Sequence, residues 1–269
     1  MIILLTNDDG YQAQGLQVLE AILSAKGHEV WVCAPSDQQS AQSHAMTLKG
    51  KVKIHRYGLR HYHCSGTPSD CILYGLEGGA VPVIPDVIIS GINHGYNAST
   101  DILYSGTVGA ASEGALRGYP SMAISARNDP TTHEYPFELG ATFLSEHLEQ
   151  FLPFCTSEVL ININIPPLAN GKWRVGHIGQ LEYLDVVERT ITPRNTSFDA
   201  EQTQLGLAYG DEATFILNTK ASPSLRKHMV EADFALLAEG FISVTPLLVN
   251  PSIHEPSVTL LKQMQQGLD

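Results

Sequence analysis

The chain is short of positive charge. Its 269 residues hold 16 Lys and Arg against 28 Asp and Glu, a formal net charge of −12. That excludes a nucleic-acid duplex as partner, because a duplex needs a basic face. Cysteine is sparse. Cys33, Cys64, Cys71 and Cys155 form no Cys-x-x-Cys pair, which excludes a zinc ribbon or a disulfide framework and reads as reduced thiols of a cytoplasmic protein. No apolar run approaches the ~18 residues that cross a bilayer, so no membrane is expected. The N-terminus lacks both a basic region and a long apolar region, so no signal peptide is expected. Internal repeats and low-complexity tracts are also missing.

What is present is an α/β rhythm. Ile2 to Thr6 reads as a strand. Gly15 to Ala25 follows with apolar residues at 16, 18, 19, 22 and 23, a helical stripe that Gly27 ends. Glu29 to Ala34 is a second strand, stopped by Pro35. This unit opens a doubly wound fold with a right-handed crossover. Residues 51–64 hold shorter strand-like runs. His61 and His63 alternate onto one face there, read as an exposed edge strand rather than a soft-metal site. Thr67, Pro68 and Asp70 read as the capped start of a helix running to about Gly78. Pro85 to Ser90 is a strand, and a long polar loop from Gly91 to Gly106 leads into a helix ending near Arg117. Ser121 to Ala126, Phe137 to Phe151 and Glu158 to Ile165 continue the alternation. Residues 1–155 are expected to form the core, and residues 156–269 a C-terminal part. Within the latter, residues 173–220 read as an appendage or oligomer-forming arm in which Phe198, Tyr209 and Phe215 are candidate interface residues. Val230 to Ala238 reads as a helix, Phe241 to Thr245 as a strand and Ser257 to Gln266 as a terminal helix.

Two segments carry chemistry. Thr6-Asn7-Asp8-Asp9-Gly10 closes the first strand, and Ser90-Gly91-Ile92-Asn93 leads through Asn97 to Tyr104-Ser105-Gly106-Thr107. In an open parallel sheet both reach the same edge, where ligands bind. Adjacent carboxylates repel unless a cation lies between them. An oxygen-rich set of this kind suits Mg²⁺, Mn²⁺ or Ca²⁺; an ordinary Asp-Asp-Gly turn is the plain alternative. Hydroxyls and amides at a helix start make an anion site fit for phosphate, unless Ser105 and Thr107 serve only as caps. In the polar loop 35–47, Ser40 and His44 stand at the same edge.

Taken together, these motifs resemble the SurE family of 5′/3′-nucleotidases over nearly the whole chain. The likeness rests on Asn7-Asp8-Asp9-Gly10, Ala34-Pro35 with Ser40 and His44, Gly66-Thr67-Pro68 with Asp70, and Ser90-Gly91-Ile92-Asn93-x-Gly95-x-Asn97. It continues in Tyr104-Ser105-Gly106-Thr107-Val108, Asn162-Ile163-Asn164-Ile165-Pro166 and Gly240 to Leu247. It implies a Rossmann-like, mostly parallel sheet with a C-terminal arm exchanged in homodimers or homotetramers. It also implies a metal-dependent phosphomonoesterase acting on nucleoside monophosphates. One divalent cation per subunit, Mg²⁺ or Mn²⁺, would be held by residues falling here on Asp8, Asp9, Ser40 and Asn93. On that reading Asp8 or Asp9 orients the attacking water, Asn97, Ser105, Gly106 and Thr107 hold phosphoryl oxygens, and His44 protonates the leaving group. The chain departs from the family pattern at Gln14, Ser99 and His177 to Glu182. Rival readings are an aspartyl-phosphate phosphatase, a nucleotide-sugar transferase and a non-catalytic nucleotide-binding module. The first expects its two acids two residues apart, and here they are adjacent.

Overall fold

A computed structural model describes residues 1–192, 212–219, 223–226 and 231–251. They fall into two compact units, one within Met1–Gly179 and Met229–Asp269, the other within Gln180–His228. In the first unit the chain runs β1 (Ile2–Thr6), α1 (Gln14–Ala25), β2 (Glu29–Pro35), β3 (Ile54–Arg56), β4 (His61–Cys64) and α2 (Pro68–Ile72), whose last turns widen over Leu73–Glu77. It continues with β5 (Val87–His94), a 3₁₀ turn (Ser99–Tyr104), α3 (Gly106–Leu116), β6 (Ser121–Ala126), α4 (Phe137–Phe151), β7 (Val159–Ile165) and β8 (Trp173–Val175). The second unit holds β9 (Leu181–Glu182), β10 (Asp185–Thr192), β11 (Glu212–Thr219) and β12 (Ser224–Leu225); α5 (Asp233–Ala238) and β13 (Ile242–Leu248) return to the first.

Nine strands make the main sheet in the order β3-β4-β2-β1-β5-β6-β7-β13-β8. From β4 to β7 every pairing is parallel, while β3 and β13 run antiparallel to their neighbours β4 and β7. This is the expected Rossmann-like, mostly parallel arrangement. The chain goes from β1 to β2 on one side and reaches β5 on the other, so the order reverses between β1 and β5. A crevice opens at such a switch point, beyond the strand C-termini, and both chemistry-bearing segments end there.

Strands buried on both faces need apolar residues at every position. Ile3 and Leu5 pack with Leu16, Leu19 and Leu23 of α1 and Phe137, Leu144 and Leu148 of α4. Leu4 and Ile88 point to the other face, against Cys71 and Ile72 of α2 and Ala110 of α3. Each fully buried Leu or Ile contributes about 1.5–3 kcal/mol. Among the described residues, no helix is long and apolar enough to cross a membrane.

Two expectations change. The run His61 to His63 is not the sheet edge, because β3 pairs outside it. His61 and His63 do share one face, with His61 bound to Glu20 at 2.6 Å. The strand through Ser90 also extends to His94, across a register shift between Ser90 and Asn93. Gly91 permits it: its φ is +140°, and a Cβ there would lie 2.2 Å from the Ile124 carbonyl oxygen. Ile92, fully buried, then carries the strand into the region read as loop. In the second unit β10 and β11 form an eight-pair antiparallel ladder, with Phe215 exposed. Phe198, Tyr209 and the terminal helix over Ser257 to Gln266 lie outside the described residues.

Helix α1 sits so close to β5 that a Cβ on Gly15 would come 2.1 Å from the Ile92 carbonyl oxygen. Helix propensity alone favours Ala over Gly by about 1 kcal/mol. Here Gly15→Ala is expected to destabilise by about 1–3 kcal/mol, the usual cost of overpacking. Thermal melts of the two proteins check this, and a melting temperature at or above wild type would contradict it.

Candidate active site

The turn after β1 is made by Asn7. Its buried side chain donates to the Gly10 carbonyl at 2.8 Å and accepts the Gly10 N–H at 3.2 Å. Gly10 completes the turn at φ +99°, where a side chain would be strained. With Asn7 turned inward, the next two side chains are presented at the crevice.

Asp8 is 6% exposed. Its Oδ1 accepts a short hydrogen bond from the Thr107 hydroxyl. Gly106 lies directly against it, since a Cβ there would come 2.9 Å from Asp8 Cβ. The carboxylate therefore rests on the first turn of α3, where unpaired amides and the helix dipole favour negative charge. Ser105 caps this helix through a 3.0 Å bond from the Val108 N–H to its Oγ. Burial nevertheless dominates and raises the Asp8 pKa to about 6; the Thr107 bond opposes the rise and the charge of Asp9 adds to it.

Asp9 has an 8% exposed side chain. The backbone N–H and Nδ1 of His94 both reach its Oδ2, at 3.1 and 2.8 Å. That bond raises the His94 pKa against the opposing effect of burial. Asn93 donates Nδ2 to the Gly95 carbonyl at 3.1 Å, which leaves its Oδ1 for a cation. Asp8, Asp9, Ser40, Asn93, Asn97 and Ser105 line one cavity of about 210 Å³, with His94, Asp101 and Tyr104 also on its walls. Among the described residues, no three His, Cys, Asp or Glu side chains are grouped to hold a metal. The donor set here instead mixes two carboxylates with an amide and a hydroxyl. Such oxygens suit a hard divalent cation, and the upward shift at Asp8 marks a carboxylate whose charge its surroundings do not offset.

Gly106 and Thr107 stand behind Asp8 rather than on the cavity lining. His44 also lies outside that lining. Its Nε2 is 2.8 Å from Glu113 Oε2, and Glu113, nearly buried, also accepts from Arg117 Nε at 2.8 Å. These contacts hold the loop that carries Ser40. The same loop presses on α3, where a Cβ on Gly109 would lie 2.3 Å from the Ser43 carbonyl oxygen. At its far end Thr47 bonds Asp70 through both N–H and hydroxyl, at 2.9 and 2.6 Å. Asp70 thus completes the α2 capping box and anchors the loop as well.

Three residues that anchor the loop after β5 were given no role by the sequence. Asn162 and Asn164 donate to the Asn97 carbonyl at 2.7 and 3.0 Å, and Asn164 accepts the Asn97 N–H at 2.9 Å. The signal for them is Asn-Ile-Asn-Ile itself: two amides on one face of a buried strand must find partners. The third, Asp233, is fully buried and accepts both the N–H and the hydroxyl of Ser99. Ser99 holds φ +55°, a conformation that favours glycine, and its Oγ also accepts the Gly179 N–H at 3.1 Å. No sequence signal joins residues 134 positions apart.

Comparison with known proteins places the chain among similar sequences and structures. A family model described as Survival protein SurE matches residues 3–185. A protein named 5'-nucleotidase SurE from Desulfitobacterium hafniense (strain DSM 10664 / DCB-2) is 37% identical over 253 residues, covering 92% of this chain and 90% of its own. Another of the same name from Erythrobacter litoralis is 36% identical over 256 residues, covering 94% and 96%. The crystal structure of the SurE protein from Aquifex aeolicus superposes with a TM-score of 0.76 at 27% identity, covering 97% of this chain and all of that one.

The Asp8 shift sets a stability test on metal-free protein. The folded pKa of about 6 exceeds the ordinary 3.8, so the folded state holds this proton more tightly than the unfolded chain. Rising pH between about 4 and 6 therefore costs stability, on the order of 2–3 kcal/mol. Chelator-treated Asp8→Asn is expected to melt above chelator-treated wild type at pH 8, with the gap closing by about pH 4. A gap that does not vary with pH would rule out the shift.

Proposed function

The chain belongs to the SurE family, and from that premise we propose that its acidic crevice makes it a metal-dependent 5′/3′-nucleotidase, releasing phosphate from nucleoside monophosphates. The carrying observation is the convergence of Asp8 and Asp9, both nearly buried, with Ser40 and Asn93 on one cavity. The nucleotidase activity named in the close relatives supports a hydrolase of phosphoric monoesters.

Asp8, Asp9, Ser40 and Asn93 would hold one Mg²⁺ or Mn²⁺. Such an ion supplies Lewis-acid polarisation of a phosphate oxygen. The carboxylate of Asp8 or Asp9 orients the attacking water. Ser105 accepts from Val108 with its Oγ, so its own proton is left to donate to a phosphoryl oxygen. The first amides of α3, at Gly106 and Thr107, steady developing charge through the helix end. Asn97, fixed on both sides of its peptide, offers a preset side chain; its Nδ2 is held by Ser125 Oγ at 2.8 Å. His44 contributes by fixing the Ser40 loop to α3. Tyr104, 57% exposed on the rim, gives a base a ring to stack on. The exposed apolar residues Val187, Phe215, Ile216 and Leu217 of the β10–β11 ladder support assembly as a homodimer or homotetramer. The four free, buried thiols suit a reducing compartment, the cytoplasm.

Phosphate release from nucleoside 5′- and 3′-monophosphates, with Mn²⁺, with Mg²⁺ and with excess chelator, tests the reading. Release is expected with metal and abolished by chelator, and Asp8→Asn is expected to lower kcat/KM on the order of 10²-fold or more. Nucleotide binding without release under any metal would mean a binding module. Turnover only with a sugar acceptor would mean a transferase.

A further inference from the structure

We infer that His94 is a positioning residue for Asp9, clamping one carboxylate oxygen so that the other alone faces the cavity. The inference rests on the metal-site reading above. Two donors of one residue converge on Asp9 Oδ2, the backbone N–H at 3.1 Å and Nδ1 at 2.8 Å. A carboxylate held at one oxygen by two donors from different directions cannot rotate about its Cβ–Cγ bond without losing both. Donating to a carboxylate requires the proton on Nδ1, so the contact fixes the tautomer as well.

The imidazole is itself fixed. It meets the Tyr135 ring edge-on at 4.8 Å and 79°, and the Phe137 ring at 5.1 Å and 83°. Those two rings stack on one another at 5.0 Å and 4°. Phe137 is buried and opens α4, so the orientation of the clamp is set by the core. The His94 side chain remains 31% exposed, so burial alone does not immobilise it; the two perpendicular rings do. Partners of a ligand's second atom usually change metal affinity or activity 10–100-fold when removed. A competing role is counter-ion: His94 could simply balance Asp9 when no metal is bound, and then removing it would tighten metal binding.

Calorimetric titration with Mn²⁺ alone, without nucleotide, separates these. Variants are His94→Leu, His94→Asn and Tyr135→Leu, each checked by thermal melt. His94→Leu is expected to weaken Mn²⁺ binding about tenfold or more. His94→Asn, whose amide can donate from nearly the Nδ1 position, is expected to recover most of the loss. Tyr135→Leu, which removes one wall of the clamp, is expected to fall between. Saturating Mn²⁺ is expected to restore most of the kcat of His94→Leu. Unchanged binding in both His94 variants overturns the clamp, and tighter binding overturns it in favour of the counter-ion role. Wild type that takes up no Mn²⁺ sinks the metal reading itself, and this inference with it.

Discussion

The seating of Asp8 on the first turn of α3 is the contact on which the rest of the site depends. It joins the end of β1 to a helix residue 99 positions later, through the Thr107 hydroxyl and the bare Cα of Gly106. The helix end favours the carboxylate, and burial opposes it. Everything else nearby fixes this compromise in place. Asn7 makes the turn that aims Asp8, and the Gln39 N–H binds the Asp8 carbonyl at 2.7 Å, drawing the Ser40 loop to the same point.

Around that contact the polar groups are held by distant parts of the chain. The Ser40 loop is fixed at Glu113 by His44, at Gly109 by Ser43 and at Asp70 by Thr47. The loop after β5 is fixed at Asn97 by the two asparagines of β7 and at Ser99 by Asp233. On the core side Glu113, Asp70, Asn162, Asn164 and Asp233 are buried polar groups with partners, and such a contact is costly to break because the survivor is left unsatisfied. Loops ordinarily move more than the elements they join; these two are tied to the core, as a site needs if its donors are to stay aimed.

Much of the fold was legible in the sequence, because strands buried on both faces write themselves as apolar runs and the helices between them as stripes. The paired acids were legible because adjacent carboxylates at a strand end invite a cation. Ser40 and Asn93 were noted from their place at the sheet edge, but a ligand role came only through family likeness: a loop serine and a strand-end asparagine have no local signature for it. His44 shows the limit from the other side. As a loop histidine beside the site it reads as an acid catalyst, yet its partner Glu113 sits on a helix whose small, featureless sequence gives no hint of a buried carboxylate waiting for it. Asp233 and His94 were missed because tertiary pairing alone defines their roles, and the β7 asparagines were matched as a motif without a role. The extension of β5 was missed because Gly91, a loop signal locally, is a register shift in the sheet.

Charge balance gives the site its logic. Asp8 and Asp9 lie in a cavity whose lining, among the described residues, holds one imidazole, that of His94, engaged with Asp9, and the chain as a whole carries −12. The end of α3 offers roughly half a positive charge, less than one carboxylate needs. A phosphate group bearing up to two negative charges would enter this field against repulsion from both acids, so donors at Ser105 and the helix amides alone cannot hold it there. A divalent ion held by the acids would reverse the local sign, and the donor at Ser105 would then suit a phosphate, with the helix end behind it. On the proposed function, the order of events follows: the cation enters first, and the anionic substrate binds to the field it creates. On that proposal, the stability that the burial of Asp8 costs the empty site goes with a site that would recognise phosphate only once it is loaded.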